Sequence, residues 1–240
     1  MGWILRFLGN FIINLRRSSM KNIFLLAFLI SSMSTAQNRD HSIDVLVNEM
    51  CTNFKENKNL TDSTRIKILN EKFIWPTLKN QSEDNASEIG NQIYFRLQKN
   101  CQEFREYLYR VDPPKDDNWI RLDAKPSIEI TDKQIETFKK TSKFYYYEYA
   151  GEITKVQTDN KYWTETFSDG TFSKLNYNWI TTNSFELIFV ESNNKTRKNF
   201  SKKGDRYNYQ VISKEDNYYW VLVEIPNQSE LLKFKLFTED

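Results

Sequence analysis

From Lys143 to the C-terminus the chain alternates apolar and polar residues with a period of two, and this constrains its fold more than any other feature. Leu175, Tyr177 and Trp179 alternate with Lys174, Asn176 and Asn178. Tyr207, Tyr209 and Val211 alternate with Asn208 and Gln210, and Leu232, Phe234 and Leu236 with Lys233 and Lys235. Such a pattern means strands with one face in a core and the other toward water. Phe185 to Val190 and Tyr219 to Ile225 are apolar at nearly every position. Those two runs read as strands covered on both faces. The breaks between runs are short: Asp169-Gly170, Thr181 to Ser184, Asn193-Asn194, Gly204-Asp205, Glu215-Asp216 and Pro226 to Gln228. Parallel neighbours need crossovers of a dozen residues or more, so these turns imply an antiparallel meander. The expected result is a curved sheet, a partly open barrel or a small sandwich.

The preceding part of the chain has a different period. Ile43, Leu46, Val47, Met50, Cys51 and Phe54 recur at three- and four-residue steps and share one helical face. A second helix is expected from Thr61 or Asp62, carrying Ile66, Leu69 and Phe73 and ending at Pro76. A third, continuous helix is expected to carry Ile89, Ile93, Leu97, Cys101, Phe104 and Leu108 on one side. Residues 111–130 hold three of the five prolines and read as a linker. A short helix follows at Thr131 to Lys140, capped by Thr131 or Asp132, with Ile135 and Phe138 facing inward. The fold class is therefore α+β: a helical module over 37–110, a linker over 111–130 and an antiparallel β domain with a leading helix over 131–240.

Residues 1–36 read as a signal peptide. Arg16, Arg17 and Lys21 precede the apolar run Ile23 to Ile30, and Ser34 and Ala36 supply the small residues of a cleavage site. As a helix the run spans only about 12 Å, too short for a hydrocarbon layer of about 30 Å. The competing reading is an uncleaved anchor from Trp3 to Ile30, interrupted at Arg16 and Arg17. Met20 is a second candidate start, because the segment from Met20 to Gln37 is a well-formed signal on its own. Cleavage after Ala36 leaves Gln37, not Cys, as the first residue, which argues against a lipid anchor. A periplasmic or extracellular location follows, with no stable transmembrane span after cleavage.

The full chain carries a formal charge of +2. Removing residues 1–36 leaves 30 basic and 32 acidic residues, so the remainder is slightly acidic and a nucleic-acid partner is not expected. The basic cluster of Lys195, Arg197, Lys198, Lys202, Lys203 and Arg206 reads as a solvated face. Cys51 and Cys101 are the two cysteines, and an even count in an exported chain favours a disulfide over two buried thiols. They fall on the apolar faces of the first and third expected helices.

Little catalytic chemistry is on offer. His41 is the single histidine and lies near the expected mature N-terminus, so neither a histidine-based triad nor a zinc cluster is available. No glycine-rich phosphate loop occurs, and no cofactor or metal site is expected. Glu148, Glu152, Glu165, Asp169, Glu186 and Glu191 lie in or beside the strands, and a pair of them across a cleft is the one route to a carboxylate-dependent hydrolase.

Aromatic residues are concentrated where the strands are. Residues 143–240 contain 10 Tyr, 8 Phe and 3 Trp in 98 positions. Rings with an apolar body and a polar edge suit peptides, glycans and other amphipathic ligands, although a ring-filled core is the competing account. The runs Phe144 to Tyr149 and Tyr218 to Trp220 must place aromatics on both faces of their strands. Tyr145, Tyr147, Trp163, Tyr218 and Trp220 are therefore the candidate ligand surface.

The segments KFYYYEYAGEI, TETFSDG, KLNYNWITTNSFELIFVE and YYWVLVE, behind a signal ending STAQ, resemble small exported proteins of flavobacteria and their relatives. In that group a strand ending in Trp leads by a hairpin into a strand of the x-F-E-L-x kind, matched by Trp179 and by Phe185, Glu186 and Leu187. The resemblance is best over Lys143 to Phe237. It implies the meander and carries no activity or catalytic residues. The expected function is a non-enzymatic binding module for a protein, peptide or glycan ligand. The alternatives are a carboxylate-dependent hydrolase and a structural partner in an envelope assembly.

Overall fold

The computed structural model describes residues 32–114, 116–225 and 228–239, with the backbone alone over 32–41. The apolar core of the signal peptide, the second start at Met20 and the His41 side chain lie outside what is described. The chain divides into two compact units, 1–107 and 108–240.

The first unit is helical. Helix α1 spans Ser32–Glu56, α2 Asp62–Leu69, α3 Trp75–Leu78 and α4 Glu83–Asn100. Helix α5, Gln102–Val111, begins here and runs across the division. Val47, Met50 and Phe54 of α1 are buried, as are Ile89, Ile93 and Leu97 of α4. Thr61 caps α2 by accepting a hydrogen bond from the Thr64 N–H at 3.3 Å. Arg65 donates to the Phe54 carbonyl at 2.7 Å and lies 3.5 Å from the Phe54 ring, so a buried cation is paid off by a backbone acceptor and an aromatic face.

Two helix boundaries differ from the sequence expectation. Pro76 does not stop the second helix, because the wider π-helical turn Asn70–Ile74 precedes it and Pro76 sits in the first turn of α3, where its missing N–H costs nothing. The third expected helix is broken at Cys101, whose backbone is extended (φ −119°, ψ 109°) between α4 and α5. The Cys51 and Cys101 sulfurs lie 2.18 Å apart, at disulfide distance, with Cα atoms 5.4 Å apart.

The second unit is a closed antiparallel barrel. Its strands are β1 Trp119–Leu122, β2 Lys143–Tyr147, β3 Ile153–Thr158, β4 Tyr162–Thr166, β5 Phe172–Trp179, β6 Ser184–Ser192, β7 Arg206–Glu215, β8 Tyr218–Glu224 and β9 Leu231–Thr238. Strands β2 to β9 follow one another as a meander and close on themselves through β9 and β2, in the register Phe144↔Thr238 and Tyr145↔Phe237. Of the three architectures the alternation allowed, the chain adopts the barrel in its closed form. Strand β1 lies in the segment read as a linker and pairs with the first half of β9, from Trp119↔Phe234 to Leu122↔Leu231. Trp119 bridges back to β2 by donating its indole N–H to the Tyr147 carbonyl at 2.6 Å. It thereby fills the gap where β2 and β9 part.

The barrel interior is a packed core of Phe144, Tyr146, Val156, Trp163, Leu175, Phe185, Leu187, Tyr219, Val221, Phe234 and Leu236. An eight-stranded barrel has room for side chains or one small ligand, so large rings go far toward filling it. One end is plugged by α6, Asp132–Lys140. Thr131 and Gln134 form a capping box there, and Phe138 packs on Phe144, Phe185 and Tyr219 with ring centroids 5.0, 6.1 and 4.9 Å away. At the other end α7, Lys195–Phe200, is inserted between β6 and β7. Strand β8 is buried on both faces, its outward Trp220 and Leu222 packing with Ile212. Strand β6 has only its inward Phe185, Leu187 and Phe189 buried, so the expectation of double cover holds for β8 and not for β6.

Candidate functional site

Barrel closure sorts the aromatic runs by parity. Phe144 and Tyr146 point inward, while Tyr145 and Tyr147 stay outside. The register places Tyr145, Phe237 and Tyr218 in one row across β2, β9 and β8. Tyr145 stacks on Phe237 with centroids 5.0 Å apart, Tyr218 lies 5.3 Å beyond, and Tyr147 and Trp220 extend the row at 5.6 Å from Phe237 and Tyr218. Four of the five rings singled out from the sequence thus meet on one outer surface, around a phenylalanine that was not singled out. Trp163, the fifth, lies inside the barrel, 1% exposed, between Phe144 and Phe185.

Charged groups rim this row. Glu215 accepts from the Tyr218 hydroxyl at 2.5 Å and the Trp220 indole N–H at 2.9 Å, and those bonds hold its carboxyl below the usual range. The same carboxylate pushes the Tyr218 hydroxyl up to about 12. Lys233 sits 4.1 Å over the Trp220 ring, and Lys235 pairs with Asp117 at 2.8 Å. Tyr145, Tyr147, Tyr218 and Phe237 are half-buried, so their faces are partly open to solvent.

A second cluster lies at the α7 end of the barrel. Asn194 caps α7 by accepting from the Thr196 and Arg197 N–H groups, both at 3.1 Å, and this sets Arg197 over the barrel end. Its guanidinium meets Glu148 at 2.6 Å and Glu165 at 3.9 Å and donates to the Tyr146 hydroxyl at 3.3 Å. Tyr146 donates to Glu165 at 3.1 Å, and Thr154 donates to Glu148 at 2.6 Å. Burial, set against the pull of Arg197 and reinforced by the charge of Glu148, holds the Glu165 carboxyl above its usual range. Burial opposes the charge of Arg197 as well, but Glu148, Tyr146 and Glu165 keep it firmly protonated. Burial and the two carboxylates raise the Tyr146 hydroxyl far out of reach of ordinary titration.

Glu148 and Glu165 were two of six candidate carboxylates, and the structure brings these two to one guanidinium. Arg197 had been read as part of a solvated basic face. It is instead committed here, and Arg206 of the same cluster is held by Glu186 at 2.8 Å. A readable signal did exist: Glu148 is in phase with Phe144 and Tyr146, and Glu165 with Trp163, so each carboxylate follows inward rings at two-residue spacing.

Among the described residues a second carboxyl-containing group, Cys51, Cys101 and Glu103, is compact, but its two sulfurs face each other at disulfide distance. No helix among the described residues is long and apolar enough to cross a membrane. The fold and its two clusters define an α+β chain with a closed, ring-filled antiparallel barrel. Against known proteins, no family model, no curated protein and no solved structure matches it.

Proposed function

We propose that this chain is an exported, non-enzymatic binding protein whose barrel presents the row of Tyr147, Tyr145, Phe237 and Tyr218 to a glycan. The observation that carries the reading is that row. The inward rings already fill the core, so the half-buried outward rings of Tyr145, Tyr147, Tyr218 and Phe237 are not needed to close it, and they keep apolar faces with polar edges partly open inside a charged rim, while Trp220 beside Tyr218 is itself buried against Ile212 and Leu222. Under the row, β9 is paired with β2 at Tyr145 and with β8 at Tyr218, so the strand that carries Phe237 has no edge there for a peptide to extend. That leaves recognition by ring faces and rim hydrogen bonds, which suits the flat apolar faces and many hydroxyls of a sugar. The cysteine pair at disulfide distance and the signal-like N-terminus support export to the periplasm or beyond.

The test is affinity electrophoresis of the full chain through gels containing soluble polysaccharides. Retardation by at least one of them, abolished in a Tyr145→Ala/Tyr218→Ala variant of unchanged circular dichroism, is the expected result. Equal retardation of wild type and variant, or none across neutral and acidic polysaccharides, refutes the glycan reading.

The hydrolase reading has one observation of its own, the approach of Glu148 and Glu165 to a common centre. That centre is filled by the Arg197 guanidinium, which leaves an ion cluster in place of a water-holding gap. Release of reducing sugar from a retained polysaccharide, lost in Glu165→Gln, would favour it over simple binding.

A further inference from the structure

The helix break at Cys101 does more than seat one cysteine opposite the other. In a continuous helix, residues two apart point to opposite sides, so Cys101 and Glu103 would face away from each other. The extended backbone at Cys101 and the restart of α5 at Gln102 instead bring the Glu103 carboxylate back to both sulfurs, 4.0 Å from Cys51 Sγ and 3.9 Å from Cys101 Sγ. A disulfide has no use for this carboxylate, because bonded sulfurs carry no proton to donate. Among the described residues the other partner of Glu103 is Lys55, at 3.8 Å and with a side chain 70% exposed, which is a weak surface pair. Two thiols do have a use for it. The two sulfurs and a Glu103 oxygen lie within 4.8 Å of one another, as compact as the donor set of a metal ion.

We propose that this corner is a redox-controlled zinc site, a disulfide when oxidised and a Zn²⁺ site of two thiolates and one carboxylate when reduced. An external dithiol breaks the S–S bond and closes its own, passing two electrons and two protons to Cys51 and Cys101. Zn²⁺ then displaces both thiol protons into water and forms two Zn–S bonds and one Zn–O bond. Around a tetrahedral zinc with Zn–S of about 2.3 Å and Zn–O of about 2.0 Å, the sulfurs lie about 3.8 Å apart and each about 3.5 Å from the oxygen. The Glu103 oxygen already stands within about half an ångström of that distance from both sulfurs, so the main adjustment is the parting of the sulfurs by rotation about their Cα–Cβ bonds. Cys101 is fully buried, whereas Cys51 is half-buried and the Glu103 side chain is 31% exposed. The ion therefore enters from the Glu103 side, where a water completes the fourth position. Two thiolates select against Ca²⁺ and Mg²⁺, which take oxygen ligands.

All three ligands belong to the helical unit, so this site and the glycan reading fail independently. The experiment is titration of the full chain, reduced with a phosphine and kept free of oxygen, first with Co²⁺ as a spectroscopic stand-in and then with Zn²⁺. One Co²⁺ per chain is expected, with the strong visible absorption of a tetrahedral ion and a thiolate charge-transfer band. Zn²⁺ bleaches both, and the oxidised chain shows neither. Cys51→Ser removes the bands, and Glu103→Gln lowers the Zn²⁺ affinity by about tenfold or more, at least the loss that follows mutation of a ligand's outer partner. Absence of a saturable cobalt spectrum, equal binding by the oxidised chain, one ion shared between two chains, or an unchanged affinity in Glu103→Gln overturns the proposal. Should reduction unfold the helices, Zn²⁺ restores their circular dichroism in the wild type and not in Cys51→Ser, because the binding free energy then drives folding. Failure of that recovery overturns the proposal equally.

Discussion

Glu148 and Glu165 touch the same guanidinium, but their removal is predicted to have unequal consequences. In Glu148→Gln the charge-assisted bond to Arg197 at 2.6 Å is lost, and the cation is left with a carboxylate 3.9 Å away. The Arg197 and Glu148 side chains are 28% and 25% exposed, which places the pair between an exposed one, worth ~0–1 kcal/mol, and a buried one, whose breaking costs ~3–5 kcal/mol. A loss of about 2 kcal/mol follows. In Glu165→Gln the amide oxygen still accepts from Tyr146, Arg197 keeps Glu148, and the long contact removed is worth less than about 0.5 kcal/mol.

The two variants also differ with pH. The folded state holds the Glu165 carboxyl above its reference value of 4.5, so between that value and its raised one the folded chain binds more protons than the unfolded chain. Wild-type stability therefore loses the Glu165 contribution as pH rises through this window. In Glu165→Gln that loss is absent, so the variant gains on the wild type as pH rises and keeps the gain above the window. Lowered carboxyls such as Glu215 give the opposite slope at lower pH, but they are common to both proteins and cancel in the difference. Urea unfolding followed by tryptophan fluorescence at several pH values between 4 and 8 measures both effects. If Glu165→Gln costs as much as Glu148→Gln at pH 7.5, or if its pH profile parallels the wild type, the assignment of Glu148 as the principal partner is wrong.

Three further outcomes follow from packing and chain geometry. Phe138→Ala empties the plug of the barrel and costs about 3–5 kcal/mol, whereas Phe237→Ala on the half-buried outer row costs less than about half of that, as urea midpoints will show. Cys51→Ser/Cys101→Ser opens a 50-residue loop and destabilises the helical unit by about 4 kcal/mol, seen as a lower helix-melting temperature by circular dichroism. Gly170 turns between β4 and β5 with φ 79° and open space around it, so Gly170→Ala meets no atom but still costs about 1 kcal/mol of backbone strain in the same unfolding assay.

Local chemistry made much of this fold legible. The plug helix is one case: Thr131, Ile135 and Phe138 announce a capped helix with one apolar face, and the face does enter the barrel. The strands are another, since period two survives along β5, along β7 from Tyr207 to Val211 and along β9, with the turns before β5 and β7 made at Gly170 and Gly204. Closure was not legible, because it depends on pairing Tyr145 with Phe237, more than ninety residues away, and no local pattern encodes that register. The breaks at Cys101 and Pro76 were misread for a related reason. Helical periodicity passes through both positions unchanged, while the extended backbone at Cys101 and the π turn before Pro76 are set by how the helices must meet.

The clusters show the same division. FYYYEY must put rings on both faces of a strand, but only closure says that Phe144 and Tyr146 belong to the core and that Tyr145 is left over. What the run also contains is Glu148, two residues after Tyr146 and therefore on the inward side. An acid in phase with buried rings needs a base, and Glu165 after Trp163 doubles the demand. The described meander has one helix inserted between its strands, α7, and that helix carries Arg197 to both carboxylates. Parity along β2 and β4 therefore identifies the acids, and the insertion between β6 and β7 identifies the segment from which their counter-charge must come.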